Sequence, residues 1–206
     1  MTETWTFALK GVLLGLSIAA PVGPIGVLCI RRTIAYGFFA GLAGGLGTAL
    51  ADAAYAGLAA FGFAALLGDV IAGNAWFRIA GAAFLLWLGW STWKAGPAQQ
   101  EAKVDARTLI GTFAATFALT LANPATIATF AALFLALGLG DTGGSADAGV
   151  ALVGGVFAGS LLWWIILSTL VVAVREKLGP SAMVAINRGA GALLVGFALW
   201  IVAGLF

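Results

Sequence analysis

Apolar residues in this chain fall in long unbroken runs, and polar residues collect between them. A bilayer-spanning helix needs about 20 mostly apolar residues. Six stretches qualify, at roughly residues 6–30, 36–64, 74–93, 108–137, 148–173 and 187–206. A transmembrane barrel would need alternating segments of about ten residues, and these runs are continuous and too long for it. Between the third and fourth runs lies the most polar interior stretch, KAGPAQQEAKVDAR at 94–107. It reads as a solvated linker separating a first three-helix unit, 1–93, from a second, 108–206. The halves share marks at a common offset of 110 residues: Gly44-Gly45 with Gly154-Gly155, Arg78 with Arg188, Gly81 with Gly191 and Trp90 with Trp200. Pro24 and Pro124 are 100 apart, a difference that ten extra residues around GLGDTGGSAD, 138–147, would reconcile. Three helices per half is an odd number, so the second half enters the membrane from the opposite side, as in the inverted repeats of secondary transporters. The fold expected is an all-α integral membrane protein of six transmembrane helices in two inverted three-helix repeats.

Composition agrees with the pattern. Of 206 residues, 62% are hydrophobic and 9% charged, and the mean hydropathy is +1.08. Those fractions lie far outside the range of soluble domains. A net charge of +2 raises the question of nucleic acid, but the ten basic residues form no stripe, so no nucleic-acid partner is expected. Cys29 is the single cysteine and there is no histidine, so neither an intramolecular disulfide nor a metal or other cofactor site is expected. The N-terminus, MTETWTFALK, lacks the basic start and small-residue cleavage site of a signal peptide, and the first run is expected to stay in the protein.

The basic residues also orient the chain. Arg31 and Arg32 after the first run, Lys94, Lys103 and Arg107 in the linker, and Arg175, Lys177 and Arg188 near the fifth loop share one side, against Lys10 and Arg78 on the other. The positive-inside rule then places both termini outside the cytoplasm. Trp5, Trp76 and Trp93 near run ends suit interfacial anchors, whereas Trp87, Trp163 and Trp164 lie deeper and read as packing residues.

Two features carry candidate chemistry. In APVGPIG, Pro21, Gly23, Pro24 and Gly26 should interrupt the first helix, because proline lacks an amide hydrogen and clashes with the preceding turn. Freed backbone groups in lipid are tolerated only where protein or a water-filled cavity satisfies them. LANPATIATF offers Asn123 and Pro124 at matching depth in the fourth helix. Helix starts there would present amides and a positive dipole end to an anion such as a carboxylate; the bland alternative is that the prolines only kink helices for packing. The second feature is Asp52, in GTALADAAYAG, the only acid well inside any run. A mid-membrane carboxylate costs about 2.5–3.5 kcal/mol on insertion scales and marks a substrate or proton pathway by default. The alternative is a structural hydrogen bond to a neighbouring helix. At the 110 offset Asp52 meets Leu162, so the acid has no symmetry mate; Thr48 and Tyr55 share its helix face.

In order and spacing, LSIAAPVGPIGVLCIRRTIAYGFFAGLAGGLGTALADAAYAGLAAFG, RIAGAAFLLWLGWSTWK and FALTLANPATIATFAALF resemble the LysE (lysine exporter) family of amino-acid translocators over nearly the whole chain. The resemblance implies export of an amino acid or related small molecule from the bacterial cytoplasm, driven by an ion gradient, in a multi-pass inner-membrane protein. It marks Pro21, Gly23, Pro24, Asp52, Asn123 and Pro124 as substrate-binding positions, with Asp52 also a candidate for proton coupling. Two departures touch the substrate: Val22 intervenes in PVGP, and apolar Ile25 follows Pro24 where relatives often carry a polar side chain. No ATP-binding loop of the GxxxxGK[ST] type is present. A metal-ion exporter would want several ligands, and the deep segments supply Asp52, Cys29 and neutral groups. An enzyme would want a second catalytic group beside Asp52, and none is evident. The partners expected are a small zwitterion and the bilayer, with a homo-oligomer left open.

Overall fold

The computed structural model describes residues 2–20, 23–61, 75–94, 105–123, 126, 129–130, 146–175, 177 and 179–203. Among the described residues there are seven helices and no strand: α1 (Thr2–Ala19), α2 (Pro24–Tyr36), α3 (Phe38–Ala60), α4 (Ala75–Trp93), α5 (Ala106–Leu121), α6 (Ala146–Arg175) and α7 (Pro180–Ala203).

The first apolar run is two helices rather than one. α1 stops at Ala19 and α2 starts at Pro24, with an 81° bend between them. Proline at the first helical position gives up no intrahelical bond, and its ring presets φ; Gly23 before it is extended. α2 continues through Arg31 and Arg32 to Tyr36, so these arginines lie in a helix and not in the loop that the sequence pattern assigned to them. The chain turns instead at Gly37, whose φ of 85° is unfavourable for any residue with a Cβ. α5 ends at Leu121, directly before Asn123-Pro124, because the residue preceding a proline is steered away from helical geometry. Pro21 and Pro124 themselves, and linker residues 95–104, lie outside the described residues.

By length and composition, one described helix can cross a membrane alone, Ala146–Val174 in α6, and α1 with α2 qualifies as one bent span. Six spans are therefore more than this criterion supports among the described residues. Glycine and alanine, which dominate α3 (FFAGLAGGLGTALADAAYAGLAA), supply close approach in place of apolar bulk.

That close approach sets the packing. Gly11, Val12 and Gly15 of α1 lie against Gly155, Val156, Gly159 and Ser160 of α6. A Cβ added at Gly155 would stand 2.2 Å from the carbonyl oxygen of Ala8, and one at Gly159 2.1 Å from that of Val12. Small residues four apart on both helices permit this backbone contact. Residue numbers rise together along it, so α1 and α6 run parallel. α3 and α5 are likewise parallel, with Gly44 against Thr112 and Thr116 and Tyr55 against Leu121. α3 runs antiparallel to α6, through Gly41 with Ser168, Gly45 with Trp164 and Asp52 with Ser160. α4 meets α7 antiparallel at Gly89 and Gly191. α2 returns along α3, Cys29 lying at Gly44 and Thr33 at Gly41. Trp164 is buried and Trp163 half-packed against the core. Trp87 is 63% exposed and is not the packing residue its depth suggested; it shares the outer surface with Trp5, Trp90 and Trp93.

Candidate functional site

Asp52 sits in the middle of α3 with 1% of its surface exposed. Alanines 49, 51 and 56 beside it are fully buried, so α3 is enclosed by its neighbours at this level. The α1–α6 glycine contact brings Ser160 to the acid: a Cβ on Gly15 would meet the Ser160 amide at 2.8 Å, and the Ser160 hydroxyl donates to Asp52 Oδ2 at 2.7 Å. This is the one side-chain hydrogen bond Asp52 makes to the described residues, and none of them forms an ion pair with it. A buried carboxylate with one neutral donor is under-compensated, since buried charges are normally paired.

The two helix breaks bracket the acid. Cys29 of α2 lies at Gly44 of α3, and at about 1.5 Å per residue the start of α2 at Pro24 falls roughly 5 Å along the axis from the level of Asp52. On the other side, Tyr55, one turn beyond Asp52, donates its phenol hydrogen to the carbonyl of Leu121 at the end of α5. Asn123 donates from its amide to Thr126 Oγ1 at 2.9 Å. Gly23 has nothing within 4 Å of where a Cβ would be. Gly23, Pro24, Asp52 and Asn123 are thus placed by the structure, whereas Pro21 and Pro124 lie outside the described residues.

Polar threonines complete the wall. Thr116 Oγ1 lies 2.7 Å from the Gly44 carbonyl across the α3–α5 contact, and Thr112 and Thr120 bond to carbonyls four residues back in α5. Thr48 does the same toward Gly44. Trp164, one turn beyond Ser160, presses its Cβ and Cγ on Gly45. Ser160, Trp164 and Thr116 were not singled out for chemistry in the sequence. For Ser160 a signal existed, a polar residue two positions from Leu162, the offset counterpart of Asp52. Among the described residues no three carboxylate, thiol or imidazole groups gather.

Among the described residues Asp52 is the one buried acid, and a carboxyl group deep in an apolar helix bundle is the kind of feature that helical membrane transporters use. Residues 16–204 match the family model of the LysE type translocator, and the chain belongs to that family. Over 176 residues, 82% of this chain and 77% of the relative, it is 31% identical to a protein of Escherichia coli (strain K12) described as the uncharacterized membrane protein YahN. No solved structure matches it significantly.

Proposed function

We propose that this protein is a secondary exporter of an amino acid or related zwitterion, working from a six-span, inverted-repeat fold in the bacterial inner membrane with both termini outside the cytoplasm. The observation that carries the reading is Asp52, a buried carboxylate with a single neutral donor, level with two helix breaks. Asp52 meets the substrate ammonium in one half of the cycle and carries a proton in the other, so that an ion gradient drives net export. Amides at the start of α2, beyond Gly23 and Pro24, face the substrate carboxylate, joined by the Asn123-Pro124 break and Pro21. The repeat is supported at the level of four helix pairs: α1 with α6 is matched by α5 with α3, both parallel, and α3 with α6 and α4 with α7 join like to like, while α2 packs on α3, α6 and α7 with no counterpart among the described residues.

The test is transport of radiolabelled L-amino acids in inverted vesicles under an imposed proton gradient, with metal tolerance on plates as the parallel arm for a metal-ion exporter. Asp52→Asn keeps shape and its bond to Ser160 but loses charge and titration, and it is expected to insert normally and abolish net export, with Asp52→Glu retaining part. Wild-type export by Asp52→Asn with unchanged pH dependence would make the acid structural.

A further inference from the structure

The α3–α6 interface also holds a polar group without a partner. Trp164 is 3% exposed, and its indole Nε1 makes no hydrogen bond, one of two such buried side-chain atoms among the described residues. The other, Arg32 Nε, belongs to a half-buried side chain in the second half of α2. An indole nitrogen can only donate, and a buried donor left unmade carries its full desolvation cost with no return. Such exceptions in native structures call for an explanation, a functional role among them.

Its position supplies one. Trp164 follows Ser160 by four residues, so the two share one face of α6; Ser160 reaches Asp52, and Trp164 lies against Gly45 on the same helix as Asp52. A Cβ on Gly45 would fall 2.3 Å from Trp164 Cβ and 2.6 Å from Cγ, so glycine at this position lets the indole seat against α3. Asp52 Oδ2 is taken by Ser160, while Oδ1 accepts nothing from the described residues. The interface therefore presents a carboxyl oxygen not used by Ser160 and an unpartnered indole N–H, on residues 160 and 164 of α6 about one turn, roughly 6 Å, apart.

We infer that Trp164 Nε1 is the donor to the substrate carboxylate, and that Asp52 Oδ1 and Trp164 Nε1 together select an α-amino acid zwitterion. The dimensions agree. Two hydrogen bonds of about 2.9 Å on either side of an N–Cα–C–O unit of roughly 3.5 Å reach about 9 Å, which a one-turn rise plus the lateral reach of an indole accommodates. The indole adds a fixed side-chain donor to the α2 amides on the carboxylate side, and it has nothing to bond on a plain amine, which lacks that acceptor. This rests on the exporter reading, and the experiment separates the two.

Purified full-length protein in proteoliposomes is assayed with the twenty L-amino acids and, for those transported, with the matching amine lacking the carboxylate. Trp164→Phe keeps the ring and removes the N–H. The expected result is a rise in KM for the amino acid of about tenfold or more with kcat within a few-fold, and no change in the weak handling of the amine. Unchanged KM for a substrate that the wild type transports overturns the role of Trp164 and leaves the exporter reading intact; no wild-type transport of any amino acid overturns both. A second measurement covers a variant that does not fold. In ¹⁵N-tryptophan-labelled wild type, a saturating transported amino acid is expected to shift one indole resonance downfield and slow its exchange. If none of the eight indole resonances moves, the proposal fails.

Discussion

The phenol of Tyr55 donates to the carbonyl of Leu121, the last residue of α5. The final carbonyls of any helix have no partner within it, and α5 ends where proline forbids a further turn. Tyr55 satisfies one of those carbonyls from a different helix, one turn from Asp52. The acid and the second helix break are thereby held by the same stretch of α3.

Tyr55→Phe is expected to fold and to lose about 0.5–1.5 kcal/mol of stability, the net worth of a typical hydrogen bond, since the Leu121 carbonyl is only part-buried. Amides of residues 118–122 should exchange faster by mass spectrometry while those of α7 do not. Equal exchange at both would show that the bond does not hold the break.

Gly154 and Gly155 are neighbours with opposite surroundings. A Cβ at Gly154 meets nothing within 4 Å, whereas one at Gly155 meets the Ala8 carbonyl at 2.2 Å and Gly11 Cα at 3.0 Å. Gly154→Ala is expected to leave the melting temperature in detergent unchanged or slightly raised. Gly155→Ala should destabilise by about 1–3 kcal/mol, the usual cost of overpacking. Similar melting of both variants would remove the α1–α6 contact as a determinant of the fold.

The orientation can be read chemically. Cys29 is buried, and a Cys29→Ala background is expected to retain the fold. In it, Gln100→Cys should react with an impermeant maleimide only from the cytoplasmic side and Thr142→Cys only from outside. Reversed labelling would sink the assigned topology, and labelling of each from both sides would mean dual insertion.

Asp105 caps α5 by accepting from the Thr108 amide at 2.8 Å, and its bonds to Thr108 hold its carboxyl below the usual carboxylate range. A depressed folded value means that the cap's contribution is present above the ordinary carboxylate pKa of about 3.9 and is lost as pH falls through the folded value. First-turn amides of α5, corrected for intrinsic exchange, should therefore open on acidification in the wild type. In Asp105→Asn, which caps without titrating, they should not. Identical pH profiles would refute the linkage.

Some of this was legible in the residues alone. Proline at 24 and 124 marks helix breaks because its ring chemistry is local, and Asp52 stands out because an acid in an apolar run is costly wherever it lies. Charge is the usual mark of a span's end and points to a loop at Arg31 and Arg32, but the residue that turns the chain is Gly37. Ser160 and Trp164 were hidden for a different reason. Serine and tryptophan are ordinary in membrane helices, and their meaning arises only from what α3 brings opposite them. The offset of 110 pairs Gly45 with Gly155, yet Gly45 faces Trp164 of α6 and Gly155 faces α1. The shared offset in sequence therefore does not carry over into a shared glycine register, because what a glycine meets is set by the side chains on the facing helix.

The contact between Gly11 and Gly155 also sets an order of events during synthesis. These positions are 144 residues apart, so α1 emerges and enters the bilayer long before its partner helix exists. Until α6 arrives, the narrow stripe on α1 is covered by lipid, and Ser160 is not yet available to Asp52. The buried acid therefore waits without its donor through most of translation, and chains cut off before α6 are expected to be poor survivors of membrane quality control. Separately expressed halves that find each other in the bilayer should restore them.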